Sequence, residues 1–164
     1  MFKIGDAVVY GSSGVCVIDD IRNEYFLGEQ ALYYILTPVY SKGSTIFCPV
    51  NNDKLPIRAV RSKDELLSSL SGDTADTDEW IVNNQKRHEH FSAVLRTSDS
   101  GKLARMISLL WRNRDEMAAV GRKFRAADEK ALADAEKILF GEMAYVLDIS
   151  YDEAADMFRT AGST

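Results

Sequence analysis

The hydrophobic period of this chain changes once, from about two residues to about 3.6 near residue 60, and that single change limits its fold more than any other feature. Before it, the opening run Phe2 to Ile18 reads as a hairpin. Val8, Tyr10, Val15 and Val17 alternate onto one sheet face, and Gly11-Ser12-Ser13-Gly14 supplies the turn. Asp19 to Asn23 then leads to Tyr25-Phe26-Leu27 and a turn at Gly28-Glu29. A strand over residues 31–37, a turn at 41–43 and a strand over 44–50 follow. Five short strands punctuated by Gly and Pro predict a compact antiparallel barrel. Pro49 has no backbone donor, so its strand ends there or lies at an edge, where unpaired backbone groups can add onto a partner's sheet.

From Ser62 onward the pattern is helical. Ser62-Lys63-Asp64-Glu65 is a capping box that opens a short helix carrying Leu66, Leu67 and Leu70. Residues 71–78 are small, polar and acidic, which marks a linker with the domain boundary at Gly72 to Thr77. The expected fold class is therefore α+β, a small β-barrel domain over 1–72 followed by an all-α domain over 73–164. Within the second domain one helix is expected from Trp80 to Leu95. After a break at 98–101, Leu103, Met106, Ile107, Leu110 and Trp111 form one apolar stripe, which puts Trp111 in the core. A loop around Val120 to Ala126 precedes a long third helix, and Ser150-Tyr151-Asp152-Glu153 repeats the capping box before a short last one.

The net charge of −5 argues against a nucleic-acid partner until its distribution is considered. Asp73, Asp76, Asp78 and Glu79 form an acidic run, and the stretch from Lys86 to Arg125 is distinctly basic before the tail turns acidic again. Charge in blocks fits a face that meets a polyanion, and equally fits helices solvated by charge. No N-terminal stretch has the layout of a leader and no apolar run approaches the roughly 18 residues of a membrane span, so a soluble, cytoplasmic protein is expected. Cys16 and Cys48 lie in strand-like runs, where reduced, buried thiols are the simple reading, and a disulfide is open but not required.

Catalysis finds little support, and no cofactor, metal or small-molecule substrate is expected. His88 and His90 are two apart, so on a helix they point to different sides, and the HExxH spacing is absent. The Gly11 to Gly14 loop joins two strands and opens no helix, unlike a phosphate loop. A helix-turn-helix over 145–158 would carry Asp152, Glu153 and Asp156 toward phosphates, which argues against it. Trp80, between an acidic linker and a basic helix, has two readings. It is a wedge for a base step in the minor groove, or a helix-start anchor packed on Leu95 or the barrel.

Taken together, these residues resemble the CarD family of bacterial transcription regulators, whose N-terminal module is shared with transcription-repair coupling factor. The resemblance is carried by Phe2 to Asp6, Val8-Val9-Tyr10, Gly14-Val15, Tyr33 to Leu36, Thr45 to Val50 and Arg58, then by Trp80, Leu109 to Arg112, Ala135 to Leu139 and Glu142. It implies a Tudor-like (SH3-like) barrel that binds the β subunit of RNA polymerase through Glu24, Phe26, Thr45, Ile46 and Phe47. It also implies a helical domain that touches promoter DNA at the upstream edge of the transcription bubble, with Trp80 wedged in the minor groove and Lys86 and Arg87 as phosphate contacts. The binding implied is sequence-tolerant and stabilises the open complex. The alternative is a protein-interaction adaptor without direct DNA binding. Glu24 and Phe47 stand where some relatives carry basic residues, and Glu129 where some carry lysine. Arg122, Lys123 and Arg125 offer compensating charge.

Overall fold

The structure is a computed structural model that describes residues 1–41, 43–52, 54, 56–71 and 79–161. The expected boundary at Gly72 to Thr77 and the acidic residues Asp73, Asp76 and Asp78 lie outside them. The first half is an antiparallel sheet of five strands, β1 (Ala7–Tyr10), β2 (Val15–Phe26), β3 (Glu29–Pro38), β4 (Ile46–Pro49) and β5 (Ile57–Ala59), in the order β4-β3-β2-β1-β5. Among the described residues five helices follow: α1 (Lys63–Ser71), α2 (Asn84–Thr97), α3 (Ser100–Ala119), α4 (Ala126–Leu147) and α5 (Tyr151–Ala161). The α+β class is as the periodicity predicts.

Two features of the sheet differ from expectation. The strands are not uniformly short. β2 runs on through the polar stretch Asp19 to Glu24, paired with β3 almost throughout, with one irregularity between Ile18 and Asp20. Nor is the barrel closed among the described residues, since β4 and β5 end the strand order without pairing. The sheet nevertheless curls, because Ile46 and Cys48 of β4 and Ile57 of β5 share one apolar cluster with Val8, Cys16, Ile18, Tyr34 and Leu36. Both cysteines are free and buried in or beside that cluster, and burial pushes the Cys16 thiol up to about 11.

β1 is buried on both faces. Val8 belongs to the sheet's inner cluster, while Val9 and Val15 join the core built by α1 to α5, which includes Leu66, Phe91, Leu103, Ile107, Leu110, Leu139, Phe140 and Phe158. Alternation along a strand thus fastens the sheet to the helical layer. The turn between β1 and β2, a 3₁₀ turn over Gly11–Ser13, rests on α4. Gly14 ends it at φ 72° and ψ −143°, where a Cβ would meet the Lys137 carbonyl oxygen at 3.4 Å. Gly14→Ala is expected to cost about 1–3 kcal/mol from backbone conformation alone, read as a lower chemical-denaturation midpoint. An unchanged midpoint would show that the turn can relax away from α4.

Local caps set the helix starts. The Ser62 backbone N donates to Glu65 Oε2 at 3.0 Å and the Glu65 backbone N donates to Ser62 Oγ at 3.2 Å, the reciprocal pair expected of the capping box. At the last helix the Glu153 backbone N donates to Ser150 Oγ at 3.0 Å. α2 begins later than expected, at Asn84, because Asn83 caps it by accepting from the Lys86 backbone N at 2.9 Å. Trp80 therefore precedes the helix that the periodicity assigned it to. Trp111 is half-buried, donating from Nε1 to Glu136 at 2.7 Å and packed on Phe140 and Phe158. Among the described residues, no helix is long and apolar enough to cross a membrane.

The sheet meets the helices at a buried charge. Glu142 of α4 is 1% exposed and accepts from both terminal nitrogens of Arg58 on β5, at 2.7 and 2.9 Å. The Arg61 backbone N donates to the same carboxylate at 3.0 Å, and Arg58 Nη2 donates onward to the Ser98 carbonyl at 2.7 Å. One carboxylate thus holds the end of the sheet, the chain entering α1 and the α2–α3 junction.

Candidate polymerase and DNA interfaces

Two surfaces stand apart from the core. The first lies where β2, β3 and β4 pass one another. Period-two alternation puts Asp20, Arg22, Glu24 and Phe26 of β2 on one face, where the register sets Arg22 against Tyr33 of β3. Phe47 of β4 completes it. The Phe26 ring lies edge-on to Tyr33 and to Phe47, each at 5.2 Å, and Phe26 and Phe47 are each 39% exposed. Such a cluster combines apolar area with geometric preference. It borders β4, whose outer edge has no strand partner among the described residues, as the position of Pro49 predicts.

The structure does not bring all five residues expected here to that face. Glu24 shares it, half-buried and held by Arg22 at 2.5 Å, and Arg22 also bonds Asp20 at 3.1 Å. Thr45 is exposed just before β4. Ile46 is turned the other way and packs on the sheet's inner cluster, because it neighbours Phe47 in the strand. Tyr33 is a further member of the cluster, which the sequence pattern of its strand does not mark as a contact residue. Tyr25, near the end of β2, and Leu27, in the β2–β3 turn, are both strongly exposed.

The second surface gathers around Trp80. Its indole is half-buried, 6.2 Å from the Phe91 ring, with the Arg87 guanidinium 4.6 Å from its centre. Lys86 is exposed on the first turn of α2. Arg122, Lys123 and Arg125 are exposed on the α3–α4 loop. That loop enters α4 three residues before Asp128, which reaches Arg87, so it lies at the same end of the molecule as Trp80.

Arg87 is not available as a phosphate contact. It is 4% exposed, and its five donors are all engaged. Nε and Nη2 donate to the two oxygens of Asp128 at 2.9 and 2.8 Å, Nη1 donates to the carbonyls of Ile81 and Val82 at 2.9 and 3.3 Å, and Nη2 also donates to Asn84 Oδ1 at 2.8 Å. Asp128 lies in the first turn of α4, where the helix's positive end favours a carboxylate. Its partner is 41 residues away, so no local spacing marks the pair. His88 and His90 are exposed, and no group of three or more metal-ligating side chains occurs among the described residues.

An apolar sheet edge and an aromatic–basic helix end are both surfaces suited to recognising macromolecules. Residues 2–61, the stretch that holds β1 to β5, match the family model of the CarD-like/TRCF RID domain. The match ends just before α1. Over almost the whole length the chain is similar to "Putative transcription factor YdeB" of Bacillus subtilis (strain 168), with 22% identity over 154 residues that cover 92% of this chain and 95% of the relative.

Proposed function

We propose that this protein is a non-catalytic transcription regulator that docks on the β subunit of RNA polymerase through its sheet and stabilises the open promoter complex through the Trp80 end of its helical layer. The observation that carries the reading is the Phe26–Tyr33–Phe47 cluster beside the open edge of β4, inside the stretch that matches a polymerase-interacting type of domain. The curled sheet is then a Tudor-like barrel left open between β4 and β5. Docking combines an apolar anchor with strand addition at the edge. Because Arg22 is already paired with Glu24 and Asp20 on that face, the contact depends on apolar area more than on a free cation.

Promoter contact follows from position. Trp80 presents part of its indole ahead of the helix whose first turn carries exposed Lys86, and the α3–α4 loop adds Arg122, Lys123 and Arg125. These supply a wedge and sequence-tolerant phosphate contacts at one end of the molecule. A ligand that prefers open to closed DNA by about 1.4 kcal/mol shifts their ratio roughly tenfold, so modest contacts suffice. A polymerase-bound factor of this kind acts in the bacterial cytoplasm. The adaptor reading keeps one supporting observation, the internal commitment of Arg87, which removes an expected phosphate contact.

The test is retention of the full chain by immobilised β subunit. Phe47→Asp, at a half-exposed position, is expected to leave the melting temperature near wild type and to reduce retention at least tenfold, about 1.4 kcal/mol, while Trp80→Ala binds normally. Equal retention of Phe47→Asp and wild type would remove the aromatic cluster from the docking surface.

A further inference from the structure

The segment between Trp80 and α2 has no regular secondary structure, yet its course is fixed by one side chain. We infer that Arg87 and Asp128 form a latch that positions Trp80, an inference that rests on the wedge reading above. An aromatic wedge held in place before it meets DNA avoids the ordering cost that a loose indole pays on binding. Arg87 supplies that hold from two directions. Its Nη1 bonds to the Ile81 and Val82 carbonyls fix the backbone that leaves Trp80, and its guanidinium lies over the indole itself at 4.6 Å.

Asp128 makes the hold rigid. Its two-point contact with Nε and Nη2 fixes the guanidinium plane from α4, and Asn84 takes a further Nη2 donor. The two side chains of the pair are 4% and 8% exposed, so the contact is screened from water and salt. A pair that only joined α2 to α4 would need neither the carbonyl contacts to the upstream segment nor the stacking on Trp80. Lysine cannot replace this arginine, because an ammonium has three donors and no plane to lay on an indole. The latch also places the basic α3–α4 loop relative to Trp80, since Asp128 opens the helix that the loop enters.

The experiment uses the full chain with Trp111→Phe, which leaves Trp80 as its only indole. Arg87→Lys and Asp128→Asn are expected to raise acrylamide quenching of Trp80 at least twofold and to shift its emission to the red, with native circular dichroism at the assay temperature. Asn84→Ala removes one partner only and keeps the test open if a stronger variant fails to fold; it is expected to give a smaller rise. With Trp111 restored, Asp128→Asn is expected to lose as much open-complex lifetime as Trp80→Ala, and the double variant to lose no more than Trp80→Ala alone. Unchanged quenching in the folded variants, or additive losses in the double variant, would overturn the latch. Should Trp80→Ala itself leave the lifetime intact, the wedge reading fails, and quenching still judges the latch.

Discussion

Glu142→Ala is expected to destabilise the protein by about 3–5 kcal/mol, the cost of leaving a buried charge without its partner. The substitution strands the Arg58 guanidinium in the seam between sheet and helices and leaves the Arg61 backbone N without its acceptor. For a chain of this length, about 2–4 °C of melting temperature per kcal/mol gives a fall of roughly 6–20 °C. Arg58→Ala should produce a loss of similar size, because the buried carboxylate then lacks its countercharge and keeps only the Arg61 backbone N and Ser100 Oγ as donors. Replacing both partners together, as Arg58→Met with Glu142→Leu, should recover most of it, since apolar side chains of similar volume commonly match a buried ion pair. Single variants within about 1 kcal/mol of wild type would show that the seam hydrates freely and that the pair does not hold the two layers together.

Phe140→Ala is expected to cost about 3–5 kcal/mol for a different reason, an unfilled cavity. Phe140 is 1% exposed and packs against Trp111, Tyr151 and Phe158, with ring centres between 5.4 and 6.1 Å. These four rings join α3, α4 and α5, so little can collapse into the space. Phe140→Leu retains most of the volume and should lose much less, and the difference between the two variants in urea denaturation measures the rigidity of the cluster. Equal losses would mean that ring geometry, not volume, holds α5 in place.

What was legible in the sequence was chiefly local. The Ser62–Glu65 capping box and Pro49 at the edge strand each follow from the backbone groups that a single residue can or cannot satisfy. The length of β2 was not legible, because Asp19 to Glu24 carries no apolar alternation; those residues are strand through their pairing with β3. The start of α2 lies four residues beyond Trp80, because the Asn83 side chain caps it there whatever the apolar spacing suggests. Pairing across the chain left no pattern to read. Arg87 looked like one of several basic helix residues, and its burial depends on Asp128, 41 residues on. Likewise Phe26 and Phe47 were named individually, but Tyr33 joins them only through the register of three strands.

In the proposed function the aromatic cluster of the sheet binds polymerase and Trp80 steadies open DNA. The most direct test is the lifetime of competitor-challenged open complexes, formed by a bacterial polymerase holoenzyme on linear promoter DNA, with wild-type protein or Trp80→Ala at saturating concentration. Wild type is expected to lengthen the lifetime by up to roughly tenfold, equivalent to about 1.4 kcal/mol, and Trp80→Ala, still bound to polymerase, to abolish most of the gain. A wild-type protein that binds the polymerase and leaves the lifetime unaltered would contradict the proposed function.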